Sequence, residues 1–311
     1  SLLLINILYR YTNMVKMTYG KMEKKIIFFC VAIVFLVEVA HGHGKSVSWT
    51  PPPMPSNVVG HDFPYSLEGV SYTGYAAYPK SSILSSSESS PGVFIGHTWN
   101  GLSAMEKWRC QQLAAKGYIC FAPDLYGTGI RPKTDAAAKA EMDKILSNLT
   151  SFYYKMEYGM EILKTKVVPN QPNAVNTSAL FANGYCLGGQ MVLELARRGY
   201  PNLIGVSSFH GELGNLTSQT HDHFTKEVAI SVHHADLDYQ GYQALLNIED
   251  EFRNNNVSIW TTTKYGNCHH AWTVPSNINY KPFEAAQSHD YMNSFYCAIL
   301  KDSKSKPKGC E

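Results

Sequence analysis

The sequence predicts one α/β domain with a mainly parallel central sheet and helices on both faces. Three observations predict it. Short apolar runs alternate with helical patterns from Val70 to Leu300, the order that buries a parallel sheet between layers of helices. The chain has 311 residues, 44% hydrophobic and 17% charged, enough for a single large core. Phe181 to Met191 reads as an apolar strand, a glycine-flanked turn carrying Cys186, and a helix. A sharp turn that pushes one side chain out at a strand end leaves no room for neighbouring Cβ atoms, hence the glycines.

The elements follow in chain order. Trp49 to Pro64 is proline-rich and predicts an extended arm. Val70 to Tyr78 alternates in polarity and predicts a strand. Lys80 to Ser90 is a serine-rich surface loop, and Gly92 to Thr98 is a buried-type strand. Ser103 with Glu106 forms a capping box that starts a helix, which runs to about Lys116 before Gly117. Tyr118 to Ala122 is the next strand, ending in the turn Pro123-Asp124-Leu125-Tyr126-Gly127. Lys133 to Lys164 is helical with an interruption near Asn148. Ser178 to Ala182 leads into the turn at Cys186, and the helix from Leu187 to Arg198 stops at Gly199. Arg197 and Arg198 sit at that helix's C-terminus, where cations suit the dipole. Leu203–Ser208, Val228–His233 and Val257–Thr263 are strands, while Gln243–Phe252 and Pro282–Leu300 are helices. Ligands in such sheets bind beyond the carboxyl ends of the strands. Cys186, the pair Asp236/Asp238, and the pair His269/His270 each follow a strand end and so gather on one edge.

The N-terminal region reads differently. Met22-Glu23-Lys24-Lys25 is a basic start, Ile26 to Val37 is an unbroken apolar run, and Ala40-His41-Gly42 offers a cleavage site. That is the pattern of a signal peptide, too short for a comfortable membrane span. The expected organisation is therefore upstream residues plus leader over 1–42, a proline-rich arm over 43–64, the α/β domain over 65–300 and a basic tail over 301–311. Secretion or a secretory lumen is the expected location, with no stable membrane insertion after cleavage. Asn148, Asn176, Asn215 and Asn256 head Asn-x-Ser/Thr triplets, which behind a leader are glycosylation candidates. Five of the 27 basic and two of the 25 acidic residues lie in 1–42, so the body is nearly neutral. A neutral body gives no electrostatic footprint for nucleic acid or acidic lipid.

Six cysteines follow the leader, and an oxidising compartment permits disulfides. Cys297–Cys310 would pin the tail to the last helix, and Cys110–Cys120 would join a helix to the next strand. Cys268 is then spare. Its position two residues from His270 also allows a Cys186–Cys268 disulfide that would silence a thiol nucleophile. Paired histidines (His41 with His43, His221 with His223, His233 with His234) give no three-ligand set at helical spacing, so no metal and no cofactor is expected.

A thiol nucleophile benefits from a base in hydrogen-bond reach and from a carboxylate that orients the base. The chain supplies Cys186, then His233-His234-Ala235-Asp236-Leu237-Asp238, then Gly266-Asn267-Cys268-His269-His270-Ala271-Trp272. Nucleophile, acid, histidine is the chain order of α/β-hydrolases. These residues resemble the dienelactone hydrolase family, the carboxymethylenebutenolidases and their relatives, over about residues 65–300. The likeness rests on Gly184-Tyr-Cys-Leu-Gly-Gly189, His97-Thr-Trp-Asn-Gly101, Leu113 to Tyr126 with its Pro123-Asp-Leu-Tyr end, and His270-Ala-Trp272. Pro282 to Phe295 is similar to the family's final helix.

The resemblance implies an α/β-hydrolase fold and a Cys–His–Asp triad acting on a small ester or lactone. Cys186 takes the nucleophile's place and His270 the histidine's, because the family's histidine precedes a small residue and an aromatic. Asp238 fits the family's aspartate, with Asp236 the alternative one register away. Backbone N–H groups of Leu187 and Trp99 would form the oxyanion hole. Many relatives hold a glutamate at the place of Thr98, where it partners the resting thiol. Threonine cannot carry that charge, so gating of the thiol and substrate choice are expected to differ. Thr98 and Arg131 are candidate substrate contacts, Arg131 for a substrate carboxylate. The competing expectation is a secreted binding or structural protein on a hydrolase scaffold, since fold alone does not establish function. The oligomeric state is left open.

Overall fold

The computed structural model describes residues 47–80, 89–171, 173–216, 223–301, 303 and 306–310. The expected leader and cleavage site lie outside these residues, as do His41, His43, His221 and most of the serine-rich loop.

Eight strands form a single sheet: β1 (Val58–Leu67), β2 (Val70–Pro79), β3 (Ser90–Gly96), β4 (Ile119–Ala122), β5 (Val175–Tyr185), β6 (Leu203–Phe209), β7 (Ala229–Leu237) and β8 (Trp260–His269). Among the described residues six helices connect or flank them: α1 (Ala104–Ala115), α2 (Asp135–Leu146), α3 (Leu149–Thr165), α4 (Leu187–Arg197), α5 (Gly241–Asn254) and α6 (Pro282–Ile299). The strand order is β1-β2-β4-β3-β5-β6-β7-β8. β1 and β2 pair antiparallel, β2 meets β4 antiparallel, and β4 through β8 run parallel.

The expected arm over 43–64 meets the sheet earlier than its prolines imply. Val58 to Leu67 is the edge strand β1, which includes Pro64. A proline costs no ladder bond on an edge strand whose N–H would face solvent. Phe63 and Tyr65 pack edge-on to Phe121 at 5.5 and 6.2 Å, which gives this strand an apolar inner face. Elsewhere the strand and helix boundaries agree with the sequence patterns to within a few residues. The exceptions are β5, β7 and β8, which extend further: buried Asn183 and His234 continue β5 and β7, and largely exposed residues continue β8.

Two apolar cores lie on the two faces of the sheet. On one, α3, α4 and α5 pack Met156, Met191 and Phe252 against Phe94, Leu180 and Val206. On the other, α1 and α6 pack Leu113, Met292 and Tyr296 against Val93, Ile95 and Phe181. α1 begins at the Ser103 cap: the Ser103 hydroxyl accepts from Met105 N–H, and Glu106 Oε2 accepts from Ser103 N–H at 2.8 Å. Arg197, read from sequence only as a helix-end cation, is buried. Its guanidinium pairs with Glu194 at 2.8 Å and Glu251 at 2.7 Å, tying α4 to α5.

Cys110–Cys120 and Cys297–Cys310 lie within disulfide geometry, with Cα separations of 5.3 and 5.1 Å. The second holds a short turn, Lys308–Cys310, against α6. Gly309 N–H also donates to Lys116 O at 2.8 Å, and Asn293 donates to Gly309 O at 2.9 Å. Cys186 and Cys268 are free thiols. The silencing Cys186–Cys268 bond is therefore not formed. Among the described residues no helix is long and apolar enough to cross a membrane.

Candidate active site

Cys186 stands between β5 and α4 with φ 56° and ψ −118°. Non-glycine residues avoid this region, at a cost of about 1–3 kcal/mol, and persist there only when surroundings force it. Three glycines do the forcing. A Cβ on Gly184 would sit 2.0 Å from Gly188 O, and one on Gly188 would sit 2.1 Å from Gly96 O. A Cβ on Gly189 would lie 2.6 Å from Gly211 Cα. The start of α4 is thus pressed against the ends of β3 and β5. Cys186 N–H donates to Phe209 O at 3.1 Å, while its own carbonyl accepts from Gly189 and Gln190.

His270 lies one residue beyond β8 and Asp238 one residue beyond β7, so both reach the same sheet edge as Cys186. His270 Nδ1 and Asp238 Oδ2 are 3.0 Å apart, and both side chains are buried. Burial works against charge on His270. The charges of Asp238 and Cys186 and a hydrogen bond to each outweigh it and hold the imidazole well above its ordinary value. Burial also pushes the Asp238 carboxyl up, but His270 beside it wins and brings it down to about 2. Of the two aspartates left open by the sequence, Asp238 thus faces His270. Asp236 is exposed and pairs with Lys264 at 2.8 Å. His269 is exposed, whereas His270 is buried.

A carboxyl depressed from 3.8 to about 2 contributes stability above pH 3.8 and loses it as pH falls through about 2. The imidazole, raised, contributes below its ordinary value and loses it as pH climbs through its folded one; the pair is one interaction and is counted once. Asp238→Asn should therefore cost about 2 kcal/mol of stability at pH 7. The deficit should vanish toward about pH 2, as urea midpoints at the two pH values would show.

Further residues complete the site, and the sequence patterns did not single them out. Gln240 N–H donates to Asp238 Oδ1 at 3.2 Å, and its side chain bridges Gly211 O and Leu213 N–H at 2.9 Å each. His210 lies after β6 with its ring 5.0 Å from that of His270, and its Nε2 meets the Thr273 hydroxyl at 2.7 Å. Burial and then the charge of His270 hold His210 well below its ordinary value, so it stays neutral. Tyr239 packs its ring 4.9 Å from His270.

The loop after β3 carries Thr98 and Trp99. It is held from three sides. Thr98 N–H donates to buried Glu106 Oε1 at 3.1 Å, so one carboxylate serves both the α1 cap and this loop. His97 Nδ1 lies 2.6 Å from Thr98 O, and its Nε2 accepts from Leu125 N–H at 3.3 Å. The Tyr126 hydroxyl donates to Trp99 O at 2.8 Å. Burial raises the Tyr126 phenol well above its ordinary value, and the charge of Cys186 adds to that. Trp99 heads the turn closed by Gly101 N–H on Thr98 O, and Leu187 is the first residue of α4. N–H groups at a helix start have no intrahelical acceptor.

Arg131 does not join this group. Its guanidinium is spent on Asp124 at 3.1 Å and on the carbonyls of Gly127 and Ile130 at 3.2 and 2.6 Å, and it braces the turn after β4. Its charge is met there by a fully buried carboxylate rather than held ready for a substrate. Cys268 is buried under Trp272 and Ala285, and burial pushes its thiol up to about 11. His233 is engaged by Ser231 and Tyr265, each at 3.0 Å.

Comparison with known proteins fits this architecture. The family model described as "Dienelactone hydrolase family" matches residues 73–300. The chain belongs to the dienelactone hydrolase family. It is 23% identical to a candidate carboxymethylenebutenolidase of Aquifex aeolicus (strain VF5), over 76% of this chain and 97% of that protein. It is 28% identical to protein usf of Aquifex pyrophilus over 47% of this chain, and the match spans only 59% of that relative's length. Among solved structures it is similar in fold to a dienelactone hydrolase-like promiscuous phosphotriesterase from metagenomic libraries. That likeness has a TM-score of 0.65 at 22% identity, over 78% of this chain and 99% of that one. It is also similar in fold to Thermogutta terrifontis esterase 2, with a TM-score of 0.55 at 12% identity, over 83% of this chain and 98% of that one. Family and fold are those of α/β-hydrolases.

Proposed function

We propose that this dienelactone hydrolase family member is a secreted, thiol-dependent hydrolase of small esters or lactones. The observation that carries the reading is Cys186 held at φ 56° beside a buried His270 that is paired with Asp238 at 3.0 Å. Cys186 Sγ attacks the carbonyl carbon while His270 Nε2 takes the thiol proton. An imidazole held well above its ordinary value by Asp238 is a ready acceptor for that proton. The carbonyl oxygen becomes an oxyanion, for which the N–H groups of Leu187 and Trp99 are the donors, worth about 3–4 kcal/mol each in related chemistry. His270 then gives the proton to the leaving oxygen, and a thioester remains on Cys186. Water, deprotonated by His270, attacks the thioester; the acid departs and the thiol is restored. Asp238 keeps the Nδ1 proton in place throughout, with Gln240 holding Asp238.

Thr98 occupies the place where many relatives are expected to carry glutamate. With no carboxylate there, His270 is the proton acceptor in this reading. Secretion is supported by the two disulfides, which persist in oxidising compartments. Exposed Asn148, Asn215 and Asn256 and half-buried Asn176 are the glycosylation candidates in this reading. The partner is a small molecule.

Trapping of the acyl-enzyme tests the mechanism. Protein mixed with nitrophenyl acetate and quenched in acid should gain one acetyl group, mapped by mass spectrometry to Cys186. Acetylation elsewhere, or turnover by protein whose Cys186 has been alkylated, would remove this reading.

A further inference from the structure

A second cleft lies on the other side of β5 from α4, between α1 and α6. It has a volume of about 240 Å³, and none of Cys186, Asp238 or His270 lines it. Asn183 and Tyr185 of β5 form its floor, since alternate residues of this strand face the α1/α6 layer. Arg109 and Trp108 of α1 form one wall, and Tyr280 and His289 the other.

The polar groups here are not balanced among themselves. Arg109 is only 7% exposed, yet no carboxylate pairs with it among the described residues. Its guanidinium lies on the Trp108 ring at 4.1 Å, and Nη2 reaches Thr273 O at a long 3.4 Å. Its Nε–H has no acceptor, and neither has the buried Trp108 Nε1–H. The groups facing the guanidinium are Tyr185, Tyr280 and His289. The cleft's other charged residues are half-buried Lys116 and exposed Asp290 on its rim, and among the described residues no ion pair joins Asp290 to Arg109. Burying an unpaired cation is costly, so a cation held this way has a use for an anion.

The neighbouring chain of hydrogen bonds has a direction. His289 Nδ1 lies 2.6 Å from Ala285 O and so carries the proton, which leaves Nε2 to accept from the Tyr185 hydroxyl at 2.9 Å. Asn183 Nδ2 donates to the Tyr185 oxygen at 3.3 Å. Asn183 Oδ1, fully buried, is left without a donor. The cleft therefore presents unused N–H donors beside a cation, plus one unused acceptor, between aromatic rings. Met292 and Leu113 add apolar surface.

We propose that this cleft is a binding site for a small organic carboxylate with a flat apolar body, separate from the Cys186 site. The carboxylate is recognised by Arg109 Nε–H with Trp108 Nε1–H, and the ring lies among Trp108, Tyr280 and Met292. A hydroxyl on the ring would donate to Asn183 Oδ1. Arginine suits this role because its planar fork matches a carboxylate and stacks on an aromatic face.

Calorimetric titration with benzoate tests it. Wild-type protein should bind one equivalent saturably, and 4-hydroxybenzoate should bind more tightly. Cys186→Ala should bind benzoate as wild type does, which separates this site from the proposed nucleophile. Arg109→Met should weaken binding at least tenfold. Ala286→Trp, at an exposed position on the rim, should do the same by closing the mouth without disturbing the core. Wild-type affinity in either variant overturns the proposal, as does an absence of saturable binding by both benzoates or its loss in Cys186→Ala. Should Arg109→Met fail to fold, the rim variant decides alone.

Discussion

Cys186→Ala should lower kcat/KM for nitrophenyl acetate by about 10⁴-fold or more, because removal of a nucleophile that acts as a unit with its base eliminates nearly all of the unit's effect. The size of the loss distinguishes two readings. If Cys186 only lined a binding site, its truncation would change KM modestly and leave kcat. The proposed thioester requires kcat itself to collapse, with residual turnover limited to what positioning and the oxyanion donors provide. Cys268→Ala is the matched control. Its thiol is buried among Tyr265, Trp272 and Ala285 and pushed up to about 11, so its removal should leave kcat unchanged. Steady-state rates of both variants, with circular dichroism to verify folding, give the answer. Equal rates for wild type and Cys186→Ala would remove the mechanism.

Gly188→Ala should destabilise the protein by more than about 4 kcal/mol, or prevent soluble accumulation. The added Cβ would lie 2.1 Å from Gly96 O, a backbone atom that no side-chain rotation can move away. Relief would require separating α4 from the end of β3, which dismantles the turn that holds Cys186. Gly214→Ala is the contrast. A methyl group there would have nothing within 4 Å of it, and the φ of Gly214 is not in the left-handed region, so the change should stay within about 0.5 kcal/mol. Urea midpoints of the two variants measure the difference.

Local patterns carried much of the fold into the sequence. The capping box at Ser103, the stops at Gly117 and Gly199, and the break at Asn148 are all set by residues within a few positions of one another. Gly117 and Gly199 indeed adopt φ of 103° and 61°. β1 was hidden because its pairing is with β2 and its one proline, Pro64, is tolerated only at an edge. The roles around the site divide in the same way. Cys186 is announced by the glycines beside it. Asp238 and Asp236 are separated by which one the tertiary fold buries, a matter the register of β7 alone leaves open. Glu106 is legible as half of a capping box, but its other oxygen on Thr98 N–H depends on how α1 packs over β3. Arg131 and Arg109 look alike as isolated arginines. One meets the buried carboxylate of Asp124 and the other meets none, and only the assembled structure distinguishes them.

The close backbone contact among Gly96, Gly184 and Gly188 divides the site, for an engineer, into a frozen part and an adjustable one. No residue larger than glycine can enter the frozen part, so it offers no route to a new specificity. Variation must come from side chains on separate loops around the triad: Thr98 after β3, Tyr126 after β4, Tyr239 after β7. A library confined to these three positions would sample new substrates while the turn under Cys186 stays as it is.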